Sequence, residues 1–493
     1  MRFIYNCLLT LKMTTITENG ALSLGTTGDA RLNLFFKTVR GIEKERLVEL
    51  IDASWAVDPL DTMKIMMNWR DCRGGKGDYA GFIDGLAHIA VGNPEWILAN
   101  LEVIPEYGRF LDIVKLWHAT GGDEVRAAII DYCARVLEKD LRVGDGEGGI
   151  SLLAKWIPSE KGKWDKGFNR ALCRRLYGSG GGRKLARLRK EVLVPLRKKL
   201  DLVESHLCEK DYGGVKYEGV PSVAMKRYRK AFGKKDSERF GAFMADVASG
   251  KKEIKAGQVY PHDLVRVYLG YGPCPVDPVI EEQWKVIKKQ VDESGVFKNS
   301  VVVCDVSGSM SGTPMEVAIA FGILGLNKGR VITFSEKPQI VEVGGAGSLF
   351  EQVRAIKAMP WGLNTNFQAV MELVLSLDEP IEKIYVFSDM QFDEAFKGGT
   401  TNVYTNFEAI PRLGRELPQM IFWNLKGNTG DFPVSSSEKG VIMLSGYSPA
   451  LLKGVMEGRD INPLDTMLEI IRGPRYDMVA QPAHQRESGA TYL

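Results

Sequence analysis

The spacing of apolar residues divides the chain into two parts. From residue 31 to about 275, apolar side chains recur three and four positions apart, as in "RLVELIDASWAVDPLDTMKIMMNW". This period places them on one face of an α-helix. Turns marked by glycine or proline, such as "RGGKG" (73–77), separate the helices without a fixed repeat length. The pattern predicts an all-α, HEAT-like helical array over 31–275, and it leaves open whether the array closes into a ring.

The second part has the pattern of an α/β domain. A helix within 276–297, after a proline-rich boundary, is predicted to link it to the first part. Short apolar, β-branched runs then predict strands at "SVVVCDV", "RVITFS", "PQIVEV", "KIYVFSD", "QMIFWNL" and "GVIMLSG". Amphipathic stretches predict helices at "MEVAIAFGILGL", "SLFEQVRAIKAM", "FQAVMELVLSL" and "PALLKGVMEG". Alternation of strands and helices is typical of a mostly parallel, doubly wound sheet, which we place at 298–476.

The two ends of the chain show neither pattern. The apolar run near the start is interrupted by Asn6, and no small-residue cleavage site follows it, which disfavours a secretory signal. We therefore predict a disordered leader over 1–30. A polar stretch without periodicity predicts a flexible tail over 477–493.

Composition indicates a globular protein with reduced cysteines. At 493 residues the chain is too long for one hydrophobic core, and its net charge is only +3. The seven cysteines are scattered without a C-x-x-C pair, which favours free thiols and a cytoplasmic location. No stretch approaches the ~18 apolar residues of a membrane span, so no membrane partner is expected. The glycine cluster "GSGGGRKL" lacks the G-K-[ST] ending of a phosphate-binding loop, so no nucleotide is expected either.

Candidate metal ligands lie where two predicted strands end. Asp305, Ser307 and Ser309 follow the first strand in "VVVCDVSGSM", and Asp389 ends a later strand. Thr365 lies in the loop before another helix. Because ligands of doubly wound sheets bind beyond the carboxyl ends of the strands, these oxygens are expected to meet, and oxygen ligands favour Mg²⁺ or another divalent cation. The alternative for the first three residues is a helix cap with turn-forming serines.

The D-x-S-x-S run, the threonine and the distal aspartate, in this order, resemble the metal-ion-dependent adhesion site (MIDAS) of the von Willebrand factor A domain. The resemblance implies that Asp305, Ser307 and Ser309 bind the ion directly. It further implies that Thr365 and Asp389 complete the shell, directly or through water. Many members have Asp after the threonine; here Asn366 follows, which lowers the negative charge of the site.

In that family an acidic side chain of a partner protein can fill the open coordination position. Hydrolysis would instead need a base near the metal-bound water, and no histidine lies between His262 and His484. We therefore expect a binding site and no enzyme activity.

Positive charges cluster at three places in the helical part. Clustered cations can neutralise the phosphates of nucleic acid, and interleaved aromatic rings can stack on unpaired bases. The alternative is a merely solvated helix face. The clusters are the turn with Arg70, Arg73 and Lys76, a first run with Arg183, Lys184, Arg187, Arg189, Lys190, Arg197, Lys198 and Lys199, and a second run with Lys226, Arg227, Arg229 and Lys230.

A helical array followed by a von Willebrand A-like domain resembles the Ro (TROVE-module) proteins, which bind small noncoding RNA. More closely, the chain is identified as a member of a family with the same two-part layout, through "DPLDTMKIMMNWRDCRGGKGD", "NLEVIPEYGRFLDIVKL", "SLLAKWIPSE" and "DVSGSM". The leading hypothesis is a non-catalytic RNA-binding protein that forms a ribonucleoprotein, with small noncoding or single-stranded RNA on the basic helical part. The alternative is a protein-interaction scaffold whose metal is capped by an acidic residue of a partner.

Overall fold

A computed structural model describes most of the chain. Its description covers residues 14–16, 22–144, 148–179, 183–270, 272, 274–326, 329–334, 338–344, 347–358, 367–377, 380–392, 418–429, 431–455 and 460–483. Thr365 lies outside these ranges.

The first part of the chain is helical over its described residues, as predicted. The sequence supplies the helix starts: Asp58, for example, caps a helix by accepting a hydrogen bond from the Asp61 backbone N–H at 2.9 Å, and Pro59 occupies the first helical position. The helices are α1 (Ala30–Lys37), α2 (Lys44–Val57), α3 (Pro59–Arg70), α4 (Ala80–Gly92), α5 (Pro94–Asn100), α6 (Ile104–Tyr107), α7 (Phe110–Ala119), α8 (Asp123–Arg142), α9 (Leu153–Trp156), α10 (Phe168–Tyr177), α11 (Lys184–Arg187), α12 (Val194–Lys199), α13 (Val203–Glu209), α14 (Ser222–Lys235), α15 (Ser237–Ala248) and α16 (Pro261–Leu269). A π-helical segment (Leu188–Leu193) joins α11 to α12, and a 3₁₀ turn covers Tyr217–Gly219.

The second part contains a six-stranded sheet, and all six predicted strands are confirmed. A hairpin-like pair, β1 (Thr14–Ile16) and β2 (Leu22–Leu24), precedes the helical part. The later elements are α17 (Pro278–Ser294), β3 (Ser300–Asp305), a 3₁₀ turn (Gly308–Met310), α18 (Thr313–Leu324), β4 (Arg330–Phe334), β5 (Gln339–Glu342), α19 (Leu349–Lys357), α20 (Phe367–Leu375), β6 (Lys383–Ser388), β7 (Gln419–Asn424), β8 (Val441–Ser445), a 3₁₀ segment (Pro449–Gly454), α21 (Pro463–Arg472) and a 3₁₀ turn (Pro474–Tyr476). The helix predicted at 449–458 is thus the 3₁₀ segment where it is described.

The strand order is β5-β4-β3-β6-β7-β8, with every pair parallel except β4–β5. Strands β3, β6, β7 and β8 are buried along their whole length, which explains their near-continuous apolar sequences. Alternate strand residues pack on opposite faces. One face lies against α18 and the helical part, and the other lies against α20. The mixed sheet with helices on both faces confirms the predicted α/β class.

The N-terminal segment is part of the fold, so the prediction of a disordered leader is wrong for its described residues. The backbone of Leu24 exchanges two hydrogen bonds with Phe432, at 3.1 and 2.8 Å. Ser436 N–H donates to the Thr27 carbonyl at 2.8 Å. The partners lie about 400 residues downstream, so no local pattern could indicate this pairing.

The C-terminal segment returns to the helical part, so the described portion of the predicted flexible tail is also held in place. Arg472 binds the Asp61 carboxylate at 2.7 Å, and Arg475 binds the Asp71 carboxylate at 2.8 Å. Beyond them, Ala480 and the Asn100 side chain exchange two hydrogen bonds of 2.8 Å.

Helix α17, predicted as a linker, is a packed element between the two parts. Its residues Ile280, Trp284 and Ile287 are buried in the main core. Glu281 accepts hydrogen bonds from the Leu349 and Phe350 backbone N–H groups at 2.8 and 3.1 Å, which caps helix α19. One hydrophobic core therefore runs through both parts.

Candidate metal centre and basic surfaces

The strand order places the candidate metal centre at a topological switch point. From β3 the chain passes to β4 on one side, and it later returns to β6 on the other side of β3. A crevice outside the carboxyl ends of two such strands is the usual ligand site of an open α/β sheet. Asp305 is the last residue of β3, and Asp389 directly follows β6. The two carboxylates therefore lie at neighbouring strand ends.

A short hydrogen-bond network holds the loop after β3. The Ser307 N–H donates to Asp305 Oδ1 at 2.9 Å, and the Oγ atoms of Ser307 and Ser309 are 3.0 Å apart. Ser388 Oγ donates to Asp305 Oδ2 at 2.6 Å. Asp305 and Ser307 are buried, whereas Ser309 is exposed, so the site opens to solvent on the serine side.

Asp389 lacks the partners that its burial demands. Its Oδ1 accepts a hydrogen bond from the Gln391 N–H at 3.2 Å, but its buried Oδ2 has no hydrogen-bond partner among the described residues. Among the described residues, the cation nearest to Oδ2 is the half-exposed Lys426, whose Nζ lies 3.9 Å away. A buried carboxylate oxygen without a partner is costly, and a bound cation is one way to offset that cost.

The surroundings of Asp305 also disfavour a negative charge on its carboxyl group. The pKa of the Asp305 carboxyl is raised to about 7, first by burial and second by the negative charge of Asp389, against the hydrogen bonds from Ser307 and Ser388. Two buried carboxylates that repel each other, with hydroxyl oxygens beside them, form a donor set suited to a hard divalent cation.

Hydrogen bonds from further residues hold the backbone around Asp389 in place. Thr429 Oγ1 donates to the Asp389 carbonyl at 3.2 Å, and Gln391 Nε2 donates to Asp431 Oδ2 at 2.8 Å. Lys37, at the end of α1, donates from Nζ to the Asp431 carbonyl at 2.6 Å, and its burial lowers its pKa to about 7. None of these four residues carries a local sequence signal for the site, whereas Ser388 does, because it lies directly before Asp389 at a strand end.

The structure thus brings Asp305, Ser307, Ser309 and Asp389 to one edge of the sheet, while Thr365 lies outside the described residues. The described residues contain no cluster of three or more His, Cys, Asp or Glu side chains. The candidate centre differs from such clusters because half of its described donors are hydroxyls.

Two of the three cations in the "RGGKG" region are structural, so the prediction that they contact RNA is wrong. Arg70 is buried and binds Asp112 at 2.7 Å. Lys76 is buried, and its Nζ donates to the Phe35 carbonyl, to Thr38 Oγ1 at 2.7 Å and to Ser445 Oγ at 2.7 Å. Arg73 is exposed and donates to the Glu106 carbonyl at 2.6 Å.

The first basic run, 183–199, divides into structural and exposed members. Arg197 donates to the Ala154 and Ile157 carbonyls, and Lys199 donates to the carbonyls of Val143 and Gly144 at the end of α8. Lys184 donates to the Gly178 carbonyl at 2.6 Å, and Arg187 pairs with Glu191 at 2.7 Å on the surface. The exposed members without a hydrogen bond or ion pair to the described residues are Arg183, Arg189, Lys190 and Lys198.

The second run divides in the same way along helix α14. Lys226 pairs with Asp263 at 3.4 Å, and Arg229 binds Asp277 at 2.6 Å. Arg227 and Lys230 are exposed, and neither pairs with a described residue. Six cations of the two runs are therefore free to contact a ligand.

Comparison with known families explains the two-part layout. The profile of a domain of unknown function, DUF2828, matches residues 17–110 and 125–297, more than half of the chain. The chain belongs to the DUF2828 family. A second profile, the domain of unknown function DUF7788, matches residues 299–484. The DUF2828 match ends between α17 and β3, so the DUF2828 region comprises the helical part, and the DUF7788 region contains the sheet.

Two known proteins resemble this DUF2828 member over most of its length. It is 30% identical over 503 aligned positions to "Uncharacterized protein L728" of Acanthamoeba polyphaga mimivirus, covering 93% of this chain and 87% of that one. The crystal structure of the Deinococcus radiodurans Ro (RSR) protein aligns with 90% of this chain and 99% of its own, at 15% identity and a TM-score of 0.39. That score is too low to establish a shared fold.

None of the helices among the described residues is long and apolar enough to cross a lipid bilayer.

Proposed function

We propose that the chain is a non-catalytic RNA-binding protein of the cytoplasm whose α/β domain binds a divalent cation, Mg²⁺ above all. The observation that supports RNA binding is the set of six exposed cations on the two basic runs, which have no partner among the described residues. A cation that already pairs with a carboxylate adds little binding free energy when it meets a phosphate. A free cation neutralises the phosphate and releases counterions from the RNA, which favours binding. The described cysteines are free thiols, as a reducing compartment would keep them.

The RNA proposal is tested by charge reversal. The double variant Arg189→Glu/Lys190→Glu should weaken binding of a single-stranded RNA by the full chain and flatten its salt dependence, measured by fluorescence anisotropy. Lys285→Glu/Lys289→Glu, two exposed positions of α17, is the control with the same change of charge. No binding of single-stranded RNA by the wild type at low salt would overturn the proposal.

The observation that supports the cation is the buried Oδ2 of Asp389, which has no hydrogen-bond partner among the described residues. Asp305, Ser307, Ser309 and Asp389 would hold the ion, and Thr365 remains in the proposed set on the strength of its motif alone. The ion would neutralise the two carboxylates and present an electrophilic position to an incoming acidic oxygen. The protein residues orient that position, since the loop is fixed by the hydrogen bonds to Asp305.

The second candidate function is a metal-dependent protein-interaction scaffold. The exposure of Ser309 favours it, because the site opens on one side to a partner carboxylate. This function predicts that proteins captured by the chain are released by a chelator, remain after RNase treatment and are lost with Asp305→Ala. Capture that needs RNA and ignores the chelator would favour the first function.

A further inference from the structure

A third surface of the helical part combines aromatic rings with positive charges, outside the two basic runs. We name it the aromatic–basic surface. Its residues come from the turn before α4, from the start and middle of α7, from the end of α9, and from the segment between α9 and α10. They are Tyr79, Arg109, Lys115, Trp156, Lys163 and Trp164.

The cations of this surface lie over the ring faces. Lys115 Nζ is 3.6 Å from the ring centroid of Tyr79 and 5.7 Å from that of Trp164. Lys163 Nζ is 5.2 Å from the Trp164 ring, and Arg109 Cζ is 5.8 Å from the Trp156 ring. Such spacing is that of cation–π pairs, which keep the rings and the charges in one layer.

The cations also lie within electrostatic reach of one another. Burial lowers the pKa of Lys115; Asp112 opposes that shift, and the positive charges of Arg70, Arg109 and Lys163 add to it. A group of like charges held this close favours an anion that would offset their repulsion.

The surface is accessible, and the nearby acids are already occupied. Tyr79 is 48% exposed, and Arg109 and Lys163 are exposed. Asp112 is taken by Arg70 at 2.7 Å, and Glu204 is taken by Lys155 at 3.1 Å. Among the described residues, no carboxylate forms an ion pair with Arg109, Lys115 or Lys163.

The aromatic–basic surface adjoins the first basic run. Arg197, near the end of that run, donates to the Ala154 and Ile157 carbonyls at 2.9 and 2.8 Å. These carbonyls lie on either side of Trp156 in the chain. The end of the first basic run therefore packs against the segment that carries Trp156.

We propose that single-stranded RNA binds the aromatic–basic surface, with unpaired bases stacked on Tyr79 and Trp164 and phosphates bound by Arg109, Lys115 and Lys163. This inference rests on the proposed RNA-binding function and names the form of RNA that it selects. Stacking requires an unpaired base with a free face, which a duplex does not offer, whereas cations alone bind both forms. When a base stacks on Tyr79, the Lys115 ammonium leaves the ring and pairs with a phosphate.

The test compares ring and charge variants of the full chain by fluorescence anisotropy. The probes are a labelled 15-nucleotide oligouridylate and an RNA duplex of equal length. Tyr79→Ala should weaken oligouridylate binding about tenfold and leave duplex binding unchanged, because only the stacked base is lost. Tyr79→Phe keeps the ring and should bind like the wild type. Lys163→Ala should lower the salt dependence, and Lys163→Arg should restore it.

The outcomes separate this inference from the function on which it rests. Oligouridylate binding that is weakened by Arg189→Glu/Lys190→Glu but unchanged by Tyr79→Ala and Lys163→Ala would overturn the inference alone. No binding by the wild type would overturn both. Equal loss of duplex and single-strand binding in Tyr79→Ala, with an unchanged circular dichroism spectrum, would contradict the stacking role. Binding of a polyglutamate peptide with the same dependence on Tyr79 would assign the surface to an acidic peptide instead.

Discussion

The carboxyl edge of the sheet differs between its two sides. Beyond β7 and β8 the polar groups are paired with the end of helix α1: Asn424 Nδ2 donates to the Phe36 carbonyl at 3.0 Å, and Ser445 Oγ donates to the Phe35 carbonyl at 2.9 Å. Lys76 donates to the same carbonyl cluster. Beyond β3 and β6, in contrast, the buried Oδ2 of Asp389 has no hydrogen-bond partner among the described residues.

This difference separates structural polar groups from candidate binding groups at one sheet edge. Buried polar atoms in folded proteins are almost always paired. Where the protein supplies the partner, as it does for Asn424 and Ser445, the residue joins two elements of the fold. Where the described residues supply no hydrogen-bond partner, as for Asp389 Oδ2, the residue can serve a ligand, and we propose that role for Asp389 together with the neighbouring Asp305.

The largest effect on stability at a single pH is expected from Lys76, on the side of the sheet edge where the polar groups are paired. Lys76→Met would remove a buried donor to the Phe35 carbonyl, Thr38 Oγ1 and Ser445 Oγ. The Phe35 carbonyl would keep the two hydroxyl donors, whereas the two hydroxyl oxygens would lose theirs. We expect the free energy of unfolding to fall by about 3 kcal/mol. Urea denaturation measures it, with exposed Arg73→Met as the neighbouring control, for which a change of about 0.5 kcal/mol is expected. Equal effects of the two variants would show that Lys76 does not join the two parts.

At Lys37, whose ammonium donates to the Asp431 carbonyl, the expected effect is a change of stability with pH rather than a loss at one pH. Its folded pKa is lowered to about 7 by burial, whereas an unfolded lysine titrates near 10.5. Between these values the unfolded chain binds more protons, so the stability of the wild type should rise with pH relative to Lys37→Met. The expected slope is at most about 1.4 kcal/mol per pH unit. Urea denaturation of both proteins from pH 7 to 10 checks this, and parallel curves would contradict it.

The smallest effect, on metal affinity, is expected at Lys426, the cation nearest to Asp389 Oδ2 among the described residues. Its ammonium, 3.9 Å from Asp389 Oδ2, would compete with a bound metal ion. Lys426→Met should therefore raise the affinity for Mg²⁺ about three- to tenfold, as expected for the loss of a partly exposed like charge worth about 1 kcal/mol. Lys439→Met, at a surface ion pair, should leave the affinity unchanged. Weaker Mg²⁺ binding in Lys426→Met would argue that the ammonium helps to shape the site.

Local sequence patterns predict the strands, and they predict the sheet edge at which Asp305 and Asp389 lie. Both predictions succeed because apolar runs and strand ends depend on residues that are close in sequence. Local patterns were insufficient where the partner is distant in sequence. Lys76 reads as a surface cation among glycines, yet its partner Ser445 lies 369 residues away. The ends of the chain were missed for the same reason, since Leu24 pairs with Phe432 and Asn100 binds Ala480.

The most direct test of the cation site is a titration of the full chain with Mn²⁺, a spectroscopic substitute for Mg²⁺, monitored by electron paramagnetic resonance. We predict one bound ion per chain in the wild type. In Asp389→Asn, which keeps the size of the side chain but removes its charge, the bound ion should be lost while the fold is retained. Absence of a bound ion in the wild type, or unchanged binding in Asp389→Asn, would contradict the assignment of Asp305 and Asp389 to a metal centre.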